Sequence, residues 1–308
     1  MKRENKKKKR TWVKVLGIVA LLLFVGAGAY IYSVYHSLTK AVDTMHQPID
    51  RGKSDKREEQ VTLEKKDPFS ILILGVDQRE GDSGRSDTTI VLTVNPNLNS
   101  IKMLSIPRDT RTEIVGRGTQ DKINHAYAFG REEMAMNTVE NFLDIPIDYY
   151  VRVNMEGFKD IVNAVGGIQV NNTLNFSQDG FNFNEGLISL NGDQALSYVR
   201  MRYEDPQGDF GRQQRQRQVI QGVVNRGASF SSLTKFDDIF AALGKNVKTN
   251  ITFDEMVDIQ ANYKNAAKNI EQLQVTGKGT KINSIYYLVV SEEEKARVQN
   301  ELKGHLEL

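Results

Sequence analysis

Between Val15 and Tyr32 the chain reads VLGIVALLLFVGAGAYIY, eighteen residues without a charge. As a helix such a run spans ~27 Å, close to the thickness of a bilayer core. The ten residues at its head, MKRENKKKKR, carry seven basic side chains and one acid. Trp12, Tyr30, Tyr32 and Tyr35 stand where interfacial aromatics belong, and the basic cluster marks the cytoplasmic side. The pattern predicts a cytoplasmic tail over residues 1–11, a single-pass signal-anchor over 12–35 and an extracellular remainder, a type II arrangement in the cell membrane. Ala27-Gly28-Ala29 is similar to the small-residue site of a cleaved signal peptide. The apolar run continues past that point into aromatics, which favours an uncleaved anchor.

This topology divides the charge. The chain carries +2 overall, and seven bases less one acid give the first ten residues +6, so −4 remains for the rest. A mildly acidic external domain lacks the broad basic surface that sequence-independent binding to nucleic acid needs, and its arginines are better read as a focused anion site. There is no cysteine, which excludes disulfides and thiolate chemistry. Of the four histidines, His36 and His46 lie close to the anchor and His305 close to the C-terminus. Only His125 falls among the motifs, so a histidine metal cluster is not expected.

Residues 36–66 are polar and charged, ending SDKREEQVTLEKK, and lack apolar periodicity; they read as a stalk. The folded unit is expected over 67–308. FSILILGV is a buried central strand by its continuous apolar run, and TTIVLTV, the turn NPNLNS and IKMLSIP read as neighbouring strands. REEMAMNTVENFLDI has helical spacing, and EGFKDIVNAVGG is a second helix closed by glycines, with strands YYVRVN and IQVNN around it. Further helices are expected near 235–248, 252–269 and from 291, and strands at IEQLQVTG and NSIYYLVV. Strands alternating with helices over this length predict one α/β domain.

Three segments carry candidate chemistry. Asp77 and Asp87 flank the glycine-punctuated loop of LGVDQREGDSGRSDTT, and such a pair suits a hard cation whose shell phosphates complete, although a solvated turn explains the same residues. SIPRDTRTE offers Arg108, Asp109 and Arg111 as the chain leaves the sheet at Pro107. In YVRMRY, Arg200 and Arg202 alternate as on one strand face. In FGRQQRQRQ, helical spacing puts Arg212, Arg215 and Gln216 together, with Arg217 and Gln213 pointing to solvent. Arginine is the residue suited to bidentate phosphate contacts, and Asp209 is placed to orient a guanidinium or accept a proton. No phosphate-cradling glycine loop with lysine, no nucleophile elbow and no zinc-protease pair is present.

LILGVDQREGDSGRSDTT, LSIPRDTRTEI, KINHAYAFG, LNGDQALSYVRMRY and DFGRQQRQR, in this order behind one anchor, resemble the LytR-CpsA-Psr family, and within it the teichoic acid transferases. The resemblance implies an α-β-α arrangement around a central mixed sheet with an apolar tunnel for a polyprenyl chain. It implies magnesium-dependent transfer of a phosphate-linked glycopolymer from an undecaprenyl pyrophosphate carrier to a peptidoglycan sugar hydroxyl. By motif, Asp77 and Asp87 would bind magnesium; Arg85, Arg108, Arg200, Arg202, Arg212 and Gln216 would hold the pyrophosphate; and Arg108 and Asp209 would act in catalysis. With His125 the only histidine among the motifs, a carboxylate would serve as any base. In FGREEM, Arg131 stands where many members of the family carry a second glycine. The alternatives are a lipid pyrophosphate phosphatase or carrier-binding module and, against the expected topology, a DNA-binding regulator.

Overall fold

The strand read from FSILILGV forms over Phe69–Asp77 (β1). Leu72, Leu74 and Val76 are buried on one face, while Ile71 and Ile73 on the other are only partly covered, the period-two pattern of a strand whose faces meet different layers. The computed structural model describes residues 36, 39–40, 42–77, 84–228, 243–244 and 246–308. Arg85–Asn95 (β2) pairs antiparallel with β1, and Ser100–Ile106 (β3) antiparallel with β2. In the turn between β2 and β3, Asn95 Oδ1 accepts from the amides of Asn97 and Leu98, the local turn chemistry that asparagine favours. Pro107, with no N–H to give, follows the end of β3. The hairpin Arg111–Ile114 (β4) and Thr119–Lys122 (β5) leads into helix His125–Leu143 (α1).

Tyr149–Asn154 (β6) lies parallel to β1, and Met155–Ala164 (α2) follows, capped by Asn154, whose side chain accepts from the Gly157 amide. Ile168–Asn172 (β7), Phe176–Gln178 (β8), Phe181–Phe183 (β9) and Gly186–Leu190 (β10) form two small hairpin sheets. Gly192–Arg200 (α3) and Asp209–Ala228 (α4) come next. Val247–Thr249 (β11), Phe253–Asn262 (α5), Ile270–Gln274 (β12), Lys278–Ile282 (β13), Ile285–Val289 (β14) and Glu292–Leu306 (α6) complete the described chain. The six-stranded central sheet runs β11-β6-β1-β2-β3-β12 and is mixed, with β6 and β12 entering parallel to their neighbours β1 and β3.

On one face Leu72, Leu74, Val91 and Leu104 pack with Tyr127, Met136 and Phe142 of α1 and Val298 and Leu302 of α6. On the other, Phe69, Ile90, Leu92 and Met103 form a core with Leu63, Ile251 and Tyr263, edged by Ile220 of α4 and Ile259 of α5. A further core around Ile168, Phe176, Phe183, Tyr198 and Val219 joins α3 and α4 to the hairpins. Helices therefore cover both faces of a mixed sheet, the expected α-β-α arrangement. Among the described residues no helix is long and apolar enough to cross a membrane; Val15–Tyr32, where the anchor is expected, lies outside them, as does most of the helix expected near 235–248.

Residues 42–66 depart from the unpacked stalk expected over 36–66. Val42, Met45 and Leu63 are buried. Gln47 N donates to Thr249 O at 2.7 Å, tying this segment to the edge strand β11. Arg51 pairs with Glu140, and Arg57 Nε and Nη2 each lie 3.0 Å from an oxygen of Asp148. The charges that argued for solvation are halves of ion pairs whose partners lie 89 and 91 positions away, beyond any local reading of periodicity.

Candidate active site

Across β1 and β2, Gly75 pairs with Thr88 and Val76 with Ser86, which leaves Asp87 as an extra residue in a β-bulge. Glycine is required at 75, because a Cβ there would stand 2.8 Å from Thr88 Cβ. Bulges re-aim side chains, and here Asp87 Oδ1 accepts from Arg108 Nη1 at 2.8 Å. Asp77 and Arg85 face each other as the last cross-strand pair of the same hairpin. The loop tip between them, 78–83, lies outside the described residues.

The second half of the site is the first turn of α4. Arg212 Nη2 lies 2.6 Å and Arg202 Nε 3.9 Å from Asp209 Oδ1, while Gln213 Nε2 donates to Oδ2 at 3.0 Å. The Arg212 contact is a meeting of charges without the alignment of a hydrogen bond, since Asp209 Oδ1 and Arg212 Nε are both buried with no hydrogen-bond partner. A buried donor left unpaired costs ~1–3 kcal/mol, so an acceptor supplied by a ligand would bind there favourably.

Electrostatics tie the two halves together. Burial opposes the charge on Arg108, but hydrogen bonding to Asp87 and the fields of Asp87, Asp209 and Asp109 outweigh it, and its pKa rises. Burial, aided by the positive fields of Arg108 and Arg202, pulls Arg212 below its ordinary range against Asp209 and Asp87. The cluster is thus uneven: the charge on Arg108 is well answered by carboxylates, whereas Arg212 is held below its ordinary range chiefly by burial.

The structure thus gathers Asp87, Arg108, Arg202, Arg212 and Asp209, and sets Asp77 and Arg85 at the rim. It does not place Arg200 and Arg202 on a strand face. Residues 198–200 close α3, whose capping box between Asn191 and Gln194 and whose buried Ala195, Leu196 and Val199 favour helix over alternation. Arg200 is exposed at the helix end and Gln216 is half-buried; neither makes an ion pair or hydrogen bond to this cluster among the described residues.

Three other expectations change. Arg215 is not at the site: it is buried in an ion pair with Asp205 at 2.6 Å and donates to the carbonyl oxygens of Tyr198 and Met201, bracing the loop that carries Arg202. Arg217 is not solvated. It is 6% exposed and donates to Ser105 and Gln272, and burial pulls its pKa down to about 10. Gln213 is likewise buried and holds Asp209. Sequence reasoning missed it, although its spacing four residues after Asp209 puts both on one helix face.

Among the described residues no three histidine or carboxylate side chains converge on a metal position. The hard-oxygen pair Asp77 and Asp87 nevertheless suits magnesium, which binds through one or two carboxylates when substrate phosphates complete its shell.

A family model described as the LytR_cpsA_psr family matches residues 32–304. The chain belongs to this family. Over 307 residues, covering all of both chains, it is 55% identical to the polyisoprenyl-teichoic acid–peptidoglycan teichoic acid transferase TagU of Bacillus subtilis (strain 168). The crystal structure of B. subtilis TagU superposes with a TM-score of 0.65, covering 79% of this chain and 98% of that one at 55% identity. A structure of TagT bound to LIIa-WTA superposes with a TM-score of 0.74 at 32% identity, covering 85% of this chain and all of that one. The fold is thus shared over about four-fifths of the chain, well beyond the motifs.

Proposed function

We propose that the chain transfers a phosphate-linked anionic glycopolymer, wall teichoic acid, from an undecaprenyl pyrophosphate carrier to a sugar hydroxyl of peptidoglycan, outside the cell and tethered to its membrane. The observation that carries this reading is the convergence of Arg108, Arg202 and Arg212 around Asp87 and Asp209, with Arg212 Nε buried and lacking an acceptor. The names of relatives more than half identical over 96% or more of the chain support teichoic acid transfer.

Phosphoryl transfer is catalysed mainly by positioning and by stabilising charge on the transferring and leaving oxygens. Arg108, Arg202 and Arg212 would bind the pyrophosphate, with Asp87 and Asp209 holding their guanidiniums apart and aimed. Arg85, Arg200 and Gln216 would add contacts to the donor's sugar-phosphate once it is seated. Magnesium held by Asp77 and Asp87 would supply further neutralisation of phosphate oxygens. The partly covered apolar side chains Ile71, Ile73 and Val151, on the sheet face toward α4 and α5, and Ile220 of α4 itself would receive the polyprenyl chain. An anchor at residues 12–35 would raise the local concentration of the membrane-bound donor.

The test is incubation of the detergent-solubilised full chain with a synthetic lipid-linked donor, peptidoglycan oligomers and magnesium, following phosphodiester formation. Attachment to the oligomer that stops on chelation is the expected result. Release of free glycopolymer phosphate without attachment would replace transfer by hydrolysis, and retention of donor without turnover would leave a carrier-binding module.

A further inference from the structure

The carboxylates gathered at the site are already committed. Asp87 accepts from Arg108, Asp209 faces Arg202, Arg212 and Gln213, and Asp109 lies 2.6 Å from Lys122 Nζ and 3.8 Å from Arg108 Nε. Each holds a cation in place, which leaves the proton of an incoming hydroxyl without an obvious destination among them.

His125 is a base of a different kind, in the segment that abuts Arg108. It opens α1 where the chain runs against the Arg108 segment: Ile123 N donates to Thr110 O at 2.8 Å and Asn124 N to Arg108 O at 3.4 Å. Its Nδ1 lies 2.8 Å from Asp121 Oδ2. The other oxygen of Asp121 accepts from the Lys122 amide at 2.8 Å and from the Tyr287 hydroxyl at 3.4 Å. A neutral imidazole donating from Nδ1 keeps its lone pair on Nε2, and Nε2 has no hydrogen-bond partner among the described residues. The ring is 26% exposed, reachable by substrate yet oriented by a carboxylate that is itself fixed. This is the orienting arrangement that makes a histidine a directed base. The notable neighbours are polar and aromatic: Lys122 lies 5.9 Å from the Tyr287 ring centre, and Phe129, 43% exposed, carries Arg117 at 4.0 Å.

We propose that His125 Nε2 is the acceptor-side base of the transfer, and that Asp121, fixed by Tyr287 and the Lys122 amide, positions it. This rests on the transferase reading above. In the step, the acceptor hydroxyl oxygen forms a bond to the phosphorus that bears the glycopolymer. The bond from that phosphorus to the bridging oxygen of the pyrophosphate breaks, and its electron pair leaves with the polyprenyl phosphate. The hydroxyl proton goes to Nε2. Other charged and titratable groups around the imidazole are Asp121 and Lys122 of β5, Arg108 and Asp109 after β3, Tyr287 of β14 and Arg117 of the β4–β5 turn.

The test uses the full chain in detergent with a short-polyprenyl pyrophosphate disaccharide donor and an uncross-linked peptidoglycan oligomer. His125→Gln should lower kcat by roughly 10²-fold or more, the range of general base catalysis, with donor Kd unchanged. The pH dependence of kcat in the parent should be altered in the variant, because the group that takes the proton is gone. Imidazole added to His125→Ala should restore part of the rate, which a purely structural role would not allow. Asp121→Asn, which keeps the imidazole but loosens its tautomer, should show a smaller loss, and it serves as the probe if position 125 proves intolerant. A His125→Gln enzyme with normal kcat and pH profile, or one that loses donor affinity and is not rescued, overturns the proposal. Absence of product from the unaltered chain would remove the transferase reading and this role together; product from it alongside an unaffected His125→Gln removes only the role of His125.

Discussion

At the Ser70 end of β1, Arg57 gives Nε and Nη2 to the two oxygens of Asp148 at 3.0 Å each and donates also to Pro68 O. Asp148 Oδ2 takes further hydrogen bonds from the amide and hydroxyl of Ser70. At the Asp77 end the same residue types meet differently. Arg212 touches Asp209 without an aligned hydrogen bond, its Nε has no partner, and Asp209 Oδ1 is shared at 2.6 and 3.9 Å with Arg202. One end is closed, and its polar groups are consumed in holding residues 42–67 to the sheet. The other is open, with positive charge and a buried donor left over. The contrast teaches that arginine–carboxylate pairs are not one kind of feature: a saturated pair is architecture, and an unsaturated one is a place for a ligand.

The strongest test of the closed end is Asp148→Ala. Removing one member of a buried pair leaves the other uncompensated, so the unfolding free energy should drop by ~3–5 kcal/mol. Urea titration of the purified chain measures this, and kcat per folded molecule should stay near the parent value. Lost activity at unchanged stability would erase the distinction between the two ends.

Arg212→Ala probes the open end and should do the reverse. Loss of a charge-assisted phosphate contact of ~1.5–3 kcal/mol lowers kcat/KM by roughly 10- to 150-fold, while the urea midpoint barely moves. Arg212→Lys should not rescue, because an ammonium cannot reproduce the planar fork. A large fall in stability instead would make Arg212 another closed pair.

His305 offers a closed site without a formal charge. Thr93 Oγ1 lies 2.7 Å from its Nδ1 and Ser100 Oγ 2.9 Å from its Nε2. Burial, helped by Lys102, holds its pKa down to about 4 from an ordinary 6.5, against the pull of Glu271, Glu301 and Glu307. Below about pH 6.5 the unfolded chain takes up a proton that the folded chain refuses until about pH 4. The stability from this residue is therefore fully present above 6.5 and lost as pH falls toward 4. Unfolding midpoints at pH 7 and pH 5 should differ, and His305→Gln should shrink that difference.

The smallest effect is expected at Arg131, where α1 kinks. Its φ of 56° and ψ of −147° belong to glycine's range. Relief of strain is partly offset by the entropy glycine gives the unfolded chain, so Arg131→Gly should raise stability by about 1 kcal/mol or less. A loss would mean that the contacts of Arg131 around Tyr127 outweigh the strain.

Much of the scaffold was legible from residue order. The apolar run of β1, the turn at Asn95–Asn99, the glycines closing α2 and the cap at Asn191 are local signals, and each element formed where they point. YVRMRY misled because alternation over six residues is weak beside a capping box upstream. The site was half legible. Asp87, Arg108, Arg202, Arg212 and Asp209 could be named from their motifs, but helical spacing grouped Arg215 with Arg212 and sent Arg217 to solvent, and both are instead spent inside the fold.

By itself the sequence determined the order of strands and helices, the apolar stretch from which an anchor is expected, and the residue types available for binding an anion. Those follow from interactions within a turn or two of chain. Only the tertiary structure decided which guanidinium is spent on Asp205, which on Ser105, and which is left without an acceptor beside Asp209. It also turned a charged stretch after the expected anchor into packed structure. The physical reason is the same in both cases: periodicity fixes which way a side chain points, but its charge is answered by groups 10 to 112 positions away in the chain, and burial then sets what that answer is worth.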